Sequence, residues 1–128
     1  MTILAIRFNF FVFLQKISVY ISSWANQQPT KYYVAISEEK LKAVQDMVGG
    51  NKERIKDAPV LIVSTFERGK SGFFQGNQTN EIGDGWGAYD NGLSNCYLVL
   101  KARAMGFDTL IMGMRELGRK GGGCPVQQ

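Results

Sequence analysis

The sequence predicts an α+β domain in which helices flank a sheet. Two runs rich in β-branched and aromatic residues, residues 30–36 and 58–66, have the composition of strands. Residues 38–48 and 86–105 place apolar side chains three and four positions apart, which is typical of amphipathic helices. The length of 128 residues allows one small domain with a modest hydrophobic core. We expect this domain at residues 22–115, between an apolar N-terminal segment (residues 1–21) and an unstructured tail (residues 116–128).

The composition narrows the possible functions. The net charge of +4 comes from scattered Lys and Arg residues, so we expect no nucleic-acid partner. The chain has no His, which excludes Ser–His catalysis and His-ligated metal sites. Its two Cys residues are too few for a disulfide framework, and we expect a reducing, cytoplasmic location. Cys96 is predicted to be a small buried hydrophobic residue, and Cys124 to be an exposed thiol in the tail.

The apolar N-terminal segment, residues 1–21, allows two structures. Phe11, Leu14, Ile17 and Ile21 share one face of a helix, whereas the unbroken run at residues 10–13 also suits a strand. We favour the helix. Arg7 interrupts the apolar residues rather than preceding them, as it would in a signal peptide, and the segment falls short of a clean membrane span. We expect no membrane partner, and a membrane-anchored module is an alternative that rests on this segment alone.

Residues 22–29, which we call the amide loop, read Ser-Ser-Trp-Ala-Asn-Gln-Gln-Pro. Hydroxyls and carboxamides beside an indole form a neutral hydrogen-bonding surface with one flat apolar wall, which suits a planar, heteroatom-rich ligand. Pro29 predicts an extended conformation for Gln28. The alternative is a polar loop that caps itself with its own Ser and Asn side chains.

The middle of the chain alternates between helix and strand. Ser37 is placed to cap a helix whose apolar stripe is Leu41, Val44 and Val48. Residues 51–57 form a short polar segment that Ile55 would anchor. The continuous apolar run at residues 58–66 predicts a strand that is buried on both faces.

The remaining elements are a long loop, a long helix and a last strand. Residues 67–85 are rich in Gly, and two Phe residues at their centre either line a substrate mouth or pin the loop to the core. The helix at residues 86–105 carries Asp90 near its start, where the helix dipole stabilises a negative charge. Its predicted apolar stripe consists of Leu93, Tyr97, Leu100 and Ala104. Gly106 is placed to end this helix, and residues 107–114 predict a buried strand.

The amide loop and the aromatic-rich strand after it resemble the Pro-Ser-x-x-Asn-x-Gln-Pro segment of the nitroreductase family of flavin-dependent oxidoreductases. The apolar run at residues 58–63 is similar to the central strand of that family. A helix with Trp86, Asp90 and Asn95 resembles its long dimer helix, and residues 110–114 resemble the strand end beside its flavin. The resemblance covers about residues 20–115 and implies a nitroreductase-like fold with a mainly antiparallel sheet.

This resemblance implies a function and a set of site residues. It implies a homodimer that holds FMN at its interface, takes electrons from NAD(P)H and passes them to nitroaromatics, quinones or similar small-molecule acceptors. No catalytic side chain and no metal are expected, because the cofactor supplies the chemistry. The implied cofactor-binding residues are Ser23, Trp24, Asn26, Gln28, Ile111, Met112, Gly113 and Met114.

The chain also departs from the family pattern. Ser22 stands where the family usually has Pro, and the phosphate-gripping Arg-x-Ser-x-Arg segment that normally begins the family is not found. The family continues past the strand that ends near Gly113 with a further helix and strand, which this sequence lacks. The expected fold is therefore incomplete at both termini. The alternative function is a truncated, flavin-free remnant of the family without catalytic activity.

Overall fold

The computed structural model describes residues 20–113, and within that range the chain forms two compact units. Residues 20–32 and 64–109 make up the first, which we call the loop unit because it contains the amide loop. Residues 33–63 and 110–113 make up the second, which we call the aliphatic unit after its core. The predictions for residues 1–19, Met114, Cys124 and the tail lie outside the described residues.

The fold class is α+β, as the sequence predicts. The strands are β1 (Thr30–Ala35), β2 (Leu61–Phe66), β3 (Phe73–Phe74) and β4 (Asn77–Gln78), and the helices are α1 (Glu38–Met47), α2 (Lys52–Ile55) and α3 (Gly85–Ala104). Short 3-10 turns occupy Trp24–Asn26 and Gly49–Asn51. β1 pairs with β2, and β3 pairs with β4 in an antiparallel hairpin. The Glu67 amide, just after β2, donates to the Pro29 carbonyl, just before β1, at 2.9 Å, which is the antiparallel arrangement.

The aliphatic unit follows its sequence pattern closely. The Ser37 hydroxyl accepts a hydrogen bond from the Lys40 amide at 3.4 Å, which caps α1 as predicted. Ile55 is only 4% exposed, so it anchors α2 as predicted. The Gln45 side chain donates to the carbonyls of Ile55 and Lys56, both at 3.3 Å, and so satisfies acceptors at the end of α2. The core consists of Ala35, Val48, Ile55 and Leu61, with Leu41, Val44, Ala58 and Met112 packed against it.

The prediction that β2 is buried on both faces is wrong. Leu61 is buried, but the other five residues of the strand are only partly buried. A continuous apolar run identifies a strand without revealing how many layers pack against it.

The predicted apolar stripe of α3 is largely exposed, and the predicted burial of Cys96 is wrong. Tyr97 and Leu100 are 54% and 62% exposed, and Cys96, which we expected to be buried, is exposed. The buried positions of the helix are instead small or polar: Gly87, Asp90, Ser94 and Ala102. A Cβ atom at position 87 would lie 2.5 Å from Cδ2 of Phe66, so only Gly allows the helix to come this close to that ring.

The predicted end of α3 is confirmed. Gly106 adopts a left-handed φ of 86°. Its amide donates to the Arg103 carbonyl and the Phe107 amide donates to the Ala102 carbonyl, both at 3.0 Å, which together form a Schellman motif.

Residues 107–113 do not form the predicted strand. Ile111 is 79% exposed and Leu110 is exposed as well. A strand needs a ladder partner for its backbone groups, and neither sheet in the described range has a third strand. The apolar, β-branched composition was therefore not sufficient to specify a strand here.

The sequence predicts only a long loop at residues 67–85, whereas this segment contains the small β3–β4 hairpin. Its two turn residues, Gln75 and Gly76, have φ values of 50° and 79°, the left-handed pair that a tight type I′ turn requires. Phe73 is half-buried and Phe74 is exposed, so one ring packs inward and the other faces solvent. In the part of the chain that the structure describes, no helix combines the length and apolar character needed to cross a bilayer.

Candidate functional site

The amide loop has an unusual backbone. Ala25, Asn26 and Gln28 have φ values of 46°, 54° and 49°, which lie in the left-handed region. The extended conformation predicted for Gln28 is therefore wrong. Left-handed conformations cost non-glycine residues about 1–2 kcal/mol each, although Asn tolerates them better than most. Such a loop persists only when its surroundings hold it, and strain of this kind clusters at ligand-binding sites.

Hydrogen bonds within the loop close it on itself. The Ser23 hydroxyl accepts a hydrogen bond from the Gln28 amide at 2.8 Å. The Gln28 side chain donates to Oδ1 of Asn26 at 3.3 Å, on the exposed side of the loop. Ser23, Asn26 and Gln28 are thus brought together, while Trp24 is half-buried beside them. Ser23 does cap the loop, as the self-capping alternative proposes, while Asn26 remains exposed.

A buried carboxylate fastens this loop from outside. Asp90 of α3 is only 2% exposed, and its Oδ1 and Oδ2 accept the Trp24 amide at 3.1 and 3.0 Å. Oδ2 also accepts the Ser71 hydroxyl at 2.6 Å, and Ser71 is itself buried. Hydrogen bonds to a charged acceptor contribute about 1.5–3 kcal/mol each, enough to offset much of the backbone strain of the loop.

This anchoring role of Asp90 was not predicted from the sequence, which indicated only that the residue lies near the start of a helix, where a negative charge is stabilised. Gly87, Asp90 and Ser94 are spaced three and four residues apart, so they share one face of α3. A signal was therefore present: small and polar residues define the inward face of this helix. The apolar spacing predicts a different buried face, because apolar residues normally mark the buried side of a helix.

A shallow pocket lies beside the anchored loop. Its volume of ≈ 10 Å³, about the room that one water molecule needs, is far below the roughly 300–1,000 Å³ of most small-molecule sites. One copy of the loop unit therefore does not enclose a tricyclic ring by itself. Its lining residues are Ile21, Ser23, Gln28, Pro29, Thr30, Asp90 and Ser94.

Thr30 and Tyr32 bring two further hydroxyls to this region, on the same face of β1. Thr30 is 5% exposed, and its Oγ1 has no hydrogen-bond partner among the described residues. Burial raises the pKa of the Tyr32 phenol to about 12. The Ser94 hydroxyl lowers this pKa and so limits the rise. The Tyr32 hydroxyl makes no hydrogen bond of good geometry among the described residues. The polar lining of the pocket thus consists of the Ser23, Thr30 and Ser94 hydroxyls, the Gln28 carboxamide and the Asp90 carboxylate.

A second polar cluster joins α3 to β2 within the loop unit. The Ser64 hydroxyl oxygen lies 2.8 Å from Oδ1 of both Asn91 and Asn95. A hydroxyl has one hydrogen, so it can donate to only one of these carboxamides, and the other must turn to donate its own N–H to Ser64. Asn95, one of the residues that carries the family resemblance, thus helps to dock the helix on the strand.

The other predicted cofactor-binding residues belong to the aliphatic unit. Ile111 and Gly113 are exposed, and Met112 packs against the aliphatic core. A Cβ atom at Gly113 would meet no atom within 4 Å, so the backbone there is open to approach. Met114 lies outside the described residues, and the flavin role of this segment stays a prediction. Residues 20–113 hold no group of three or more His, Cys, Asp or Glu side chains that would bind a metal ion.

The chemistry of the amide loop fits a flavin ring but not a flavin phosphate. Carboxamides and hydroxyls match the alternating donors and acceptors of an isoalloxazine edge, and the Thr30 oxygen is one buried polar atom to which a ligand could donate. Residues 20–30 carry no charged side chain, so this loop offers no charge-assisted contact to a phosphate.

Comparison with models of known protein families gives no match for this chain, and a search of curated proteins gives none either.

Proposed function

We propose that this chain is a nitroreductase-type, FMN-dependent NAD(P)H oxidoreductase that acts as a cytoplasmic homodimer. The observation that carries the proposal is the amide loop, a strained surface segment of amides and hydroxyls that a buried carboxylate fastens at its Trp24 amide. Left-handed, non-glycine residues cluster at active sites and ligand clamps. The resemblance of residues 22–29 to the flavin-contacting segment of the family supplies the ligand class.

Bound FMN would supply the redox chemistry, by accepting a hydride from NAD(P)H and passing electrons to a nitroaromatic, a quinone or a similar acceptor. The residues of the chain would bind the flavin ring and orient it. Asn26 and Gln28 hydrogen-bond the edge of the ring through their carboxamides. Ser23 holds the loop closed through the Gln28 amide, and the Trp24 indole forms an apolar wall that keeps water from the ring. No side chain needs to act as an acid or a base.

The outward face of α3 supports the homodimer. Tyr89, Tyr97 and Leu100 are all exposed on this helix, and Trp86 meets Tyr89 edge to face with ring centroids 6.0 Å apart. A row of exposed large apolar side chains marks a surface that associates.

Flavin retention tests the proposal. The full chain is incubated with FMN and passed through a gel-filtration column while flavin and protein absorbance are both recorded. We expect flavin to elute with the protein at a stoichiometry near one per chain. Protein that emerges colourless at every FMN concentration tested would contradict the proposal.

Two charge insertions test the dimer. Leu100→Glu places a charge on the outward face of α3, whereas Phe74→Glu removes an equally exposed apolar side chain from the hairpin. We expect the first variant to elute as a monomer and to lose flavin, and the second to behave like the wild type. A native chain that is monomeric by light scattering, or equal effects of the two variants, would argue against this interface.

The absence of charged side chains from the amide loop predicts how riboflavin and FMN compare in affinity. If the ring contacts dominate, riboflavin and FMN should bind with affinities that differ by less than about tenfold, because a phosphate gripped by two charge-assisted contacts would give a larger ratio. Fluorescence titration with each compound measures the ratio. A strong preference for FMN would show that the phosphate is bound by residues outside the amide loop.

A second candidate is a flavin-free protein that associates through α3 without catalysis. The exposed apolar face of α3 and the small pocket favour it. A monodisperse, cooperatively melting dimer that never retains flavin would support this candidate over the first.

A further inference from the structure

We infer that Asp90 is a positioning residue that holds the amide loop in its ligand-binding conformation. The inference rests on the proposed function for the identity of the ligand, but its core statement concerns the loop itself. Asp90 need not touch the flavin, because it acts through the backbone at Trp24.

Three segments that are distant in sequence meet on this one carboxylate. Both oxygens receive the Trp24 amide, 66 residues away, and Oδ2 receives the Ser71 hydroxyl, 19 residues away. The Trp24 amide stands immediately before the first left-handed residue, Ala25. A fixed amide at this point sets where the left-handed backbone begins and therefore where Asn26 and Gln28 present their carboxamides.

The helix that carries Asp90 has other means of support. Gly87 packs α3 against the Phe66 ring, Ser64 bonds to its carboxamides, and a Schellman motif ends it at Gly106. The hydrogen bonds of Asp90 all leave the helix. Loss of its charge is therefore expected to release the loop more than it disturbs the helix.

Asp84 provides a matched control in the same unit. It also accepts a backbone amide, that of Gly69, at 2.7 Å, together with the Arg68 guanidinium at 2.8 Å. Neither of these partners belongs to the amide loop. Asp84→Asn thus removes a carboxylate–amide contact of similar geometry elsewhere in the loop unit.

The test is amide hydrogen exchange in the full chain without flavin, followed by FMN titration. Asp90→Asn keeps the size of the side chain but removes its charge and one of the two oxygens that accept the Trp24 amide. We expect exchange of the Trp24 amide to accelerate by about tenfold or more, with FMN affinity falling by a similar factor. The amides of Gly106 and Phe107, which the Schellman motif protects, should exchange at the wild-type rate.

Further variants keep the inference falsifiable. Ser71→Ala removes only the hydroxyl that donates to Asp90, and it replaces Asp90→Asn as the test variant if the latter fails to fold. We expect it to accelerate exchange of the Trp24 amide by a smaller factor. Asp84→Asn should accelerate exchange at Gly69 and leave Trp24 and FMN affinity unchanged. The inference is overturned if Trp24 keeps its protection in Asp90→Asn and Ser71→Ala, or if Asp84→Asn affects Trp24 equally.

The failure of the proposed function would look different. If the wild type binds no flavin while Trp24 exchange still depends on Asp90, the ligand assignment fails and the loop-holding role of Asp90 stands on the exchange data alone.

Discussion

Different interactions stabilise the interior of the aliphatic unit and the interior of the loop unit. The first buries Val48, Ile55 and Leu61 in a core that needs little directional bonding. The second buries Gly87, Asp90 and Ser94 on its long helix and relies on hydrogen bonds of defined geometry. Apolar packing tolerates small shifts, whereas a carboxylate holding one amide fixes that amide closely in place. The structure of the loop unit therefore depends more strongly on precise geometry, and this unit carries the candidate site.

The largest expected effect is a cavity in the aliphatic unit. Ile55→Ala should lower the free energy of unfolding by about 2–5 kcal/mol, because the side chain is 4% exposed and sits in the core cluster. Far-ultraviolet circular dichroism during urea denaturation measures it. Ile55→Val, the control, should cost only about 0.5–1.5 kcal/mol. Equal effects of the two variants would mean that volume does not govern this unit.

Two glycines of α3 test how closely this helix is packed in the loop unit. A Cβ at Gly87 would lie 2.5 Å from Phe66, whereas a Cβ at Gly92 would meet nothing within 4 Å. Gly87→Ala should destabilise by about 1–3 kcal/mol through overpacking, even though Ala is the better helix former.

The control, Gly92→Ala, should stabilise the chain by about 0.5–1 kcal/mol, because only the helix propensity changes. Thermal melting of both variants measures the difference. If the two substitutions shift the melting temperature in the same direction, the close approach of α3 to Phe66 is not a constraint.

Tyr32 gives a pH dependence to the loop unit. Its folded pKa, raised by burial to about 12, exceeds the unfolded value of about 10, so folding favours the protonated phenol. The associated stability is fully present below pH 10 and is lost as the pH rises toward 12. For a half-buried ring the loss should reach about 1–2 kcal/mol once solvent screening is included.

Urea denaturation between pH 8 and pH 11.5 compares the wild type with Tyr32→Phe, which cannot titrate at this position. The wild type should lose stability faster than the variant above about pH 10. Parallel pH profiles would show that the phenol is not buried as described.

The smallest expected effect concerns the unpartnered hydroxyl of Thr30. Thr30→Val replaces Oγ1, which is buried without a hydrogen-bond partner among the described residues, by a methyl group. The free energy of unfolding should stay the same or rise by up to about 1 kcal/mol. A loss of more than about 1 kcal/mol would reveal a partner for this oxygen beyond residues 20–113.

Much of the fold could be predicted from the sequence. The predictions succeeded where apolar packing determines the structure and failed where hydrogen bonds between distant residues do. Periodic apolar residues at Leu41, Val44 and Val48 correctly located α1 and its core face, and Gly106 correctly marked the end of α3. The same rule failed for α3, because small and polar residues can be buried when a neighbouring group meets them closely. Hydrogen bonds between distant residues, such as Asp90 with Trp24, leave no periodic trace in one sequence.

The candidate site could be predicted only in part. The position of the amide loop and the residue types that suit a planar ligand were visible, since they are local features. Its left-handed backbone, its closure through Ser23 and its anchor at Asp90 were not visible, because each depends on contacts that the fold creates. The predicted strand at residues 107–114 failed in its described part for a related reason, since composition does not supply a ladder partner.

Two carboxamides in the same backbone conformation provide the most direct test of the central claim, that the amide loop binds a flavin ring. Gln28 and Gln75 have φ values of 49° and 50°, so replacing either by Ala changes the backbone strain equally, but only Gln28 belongs to the amide loop. Fluorescence titration of FMN against the wild type, Gln28→Ala and Gln75→Ala measures the dissociation constants. We predict saturable binding that weakens by about tenfold in Gln28→Ala and is unchanged in Gln75→Ala. Absence of saturable binding, or equal losses in both variants, would contradict the account.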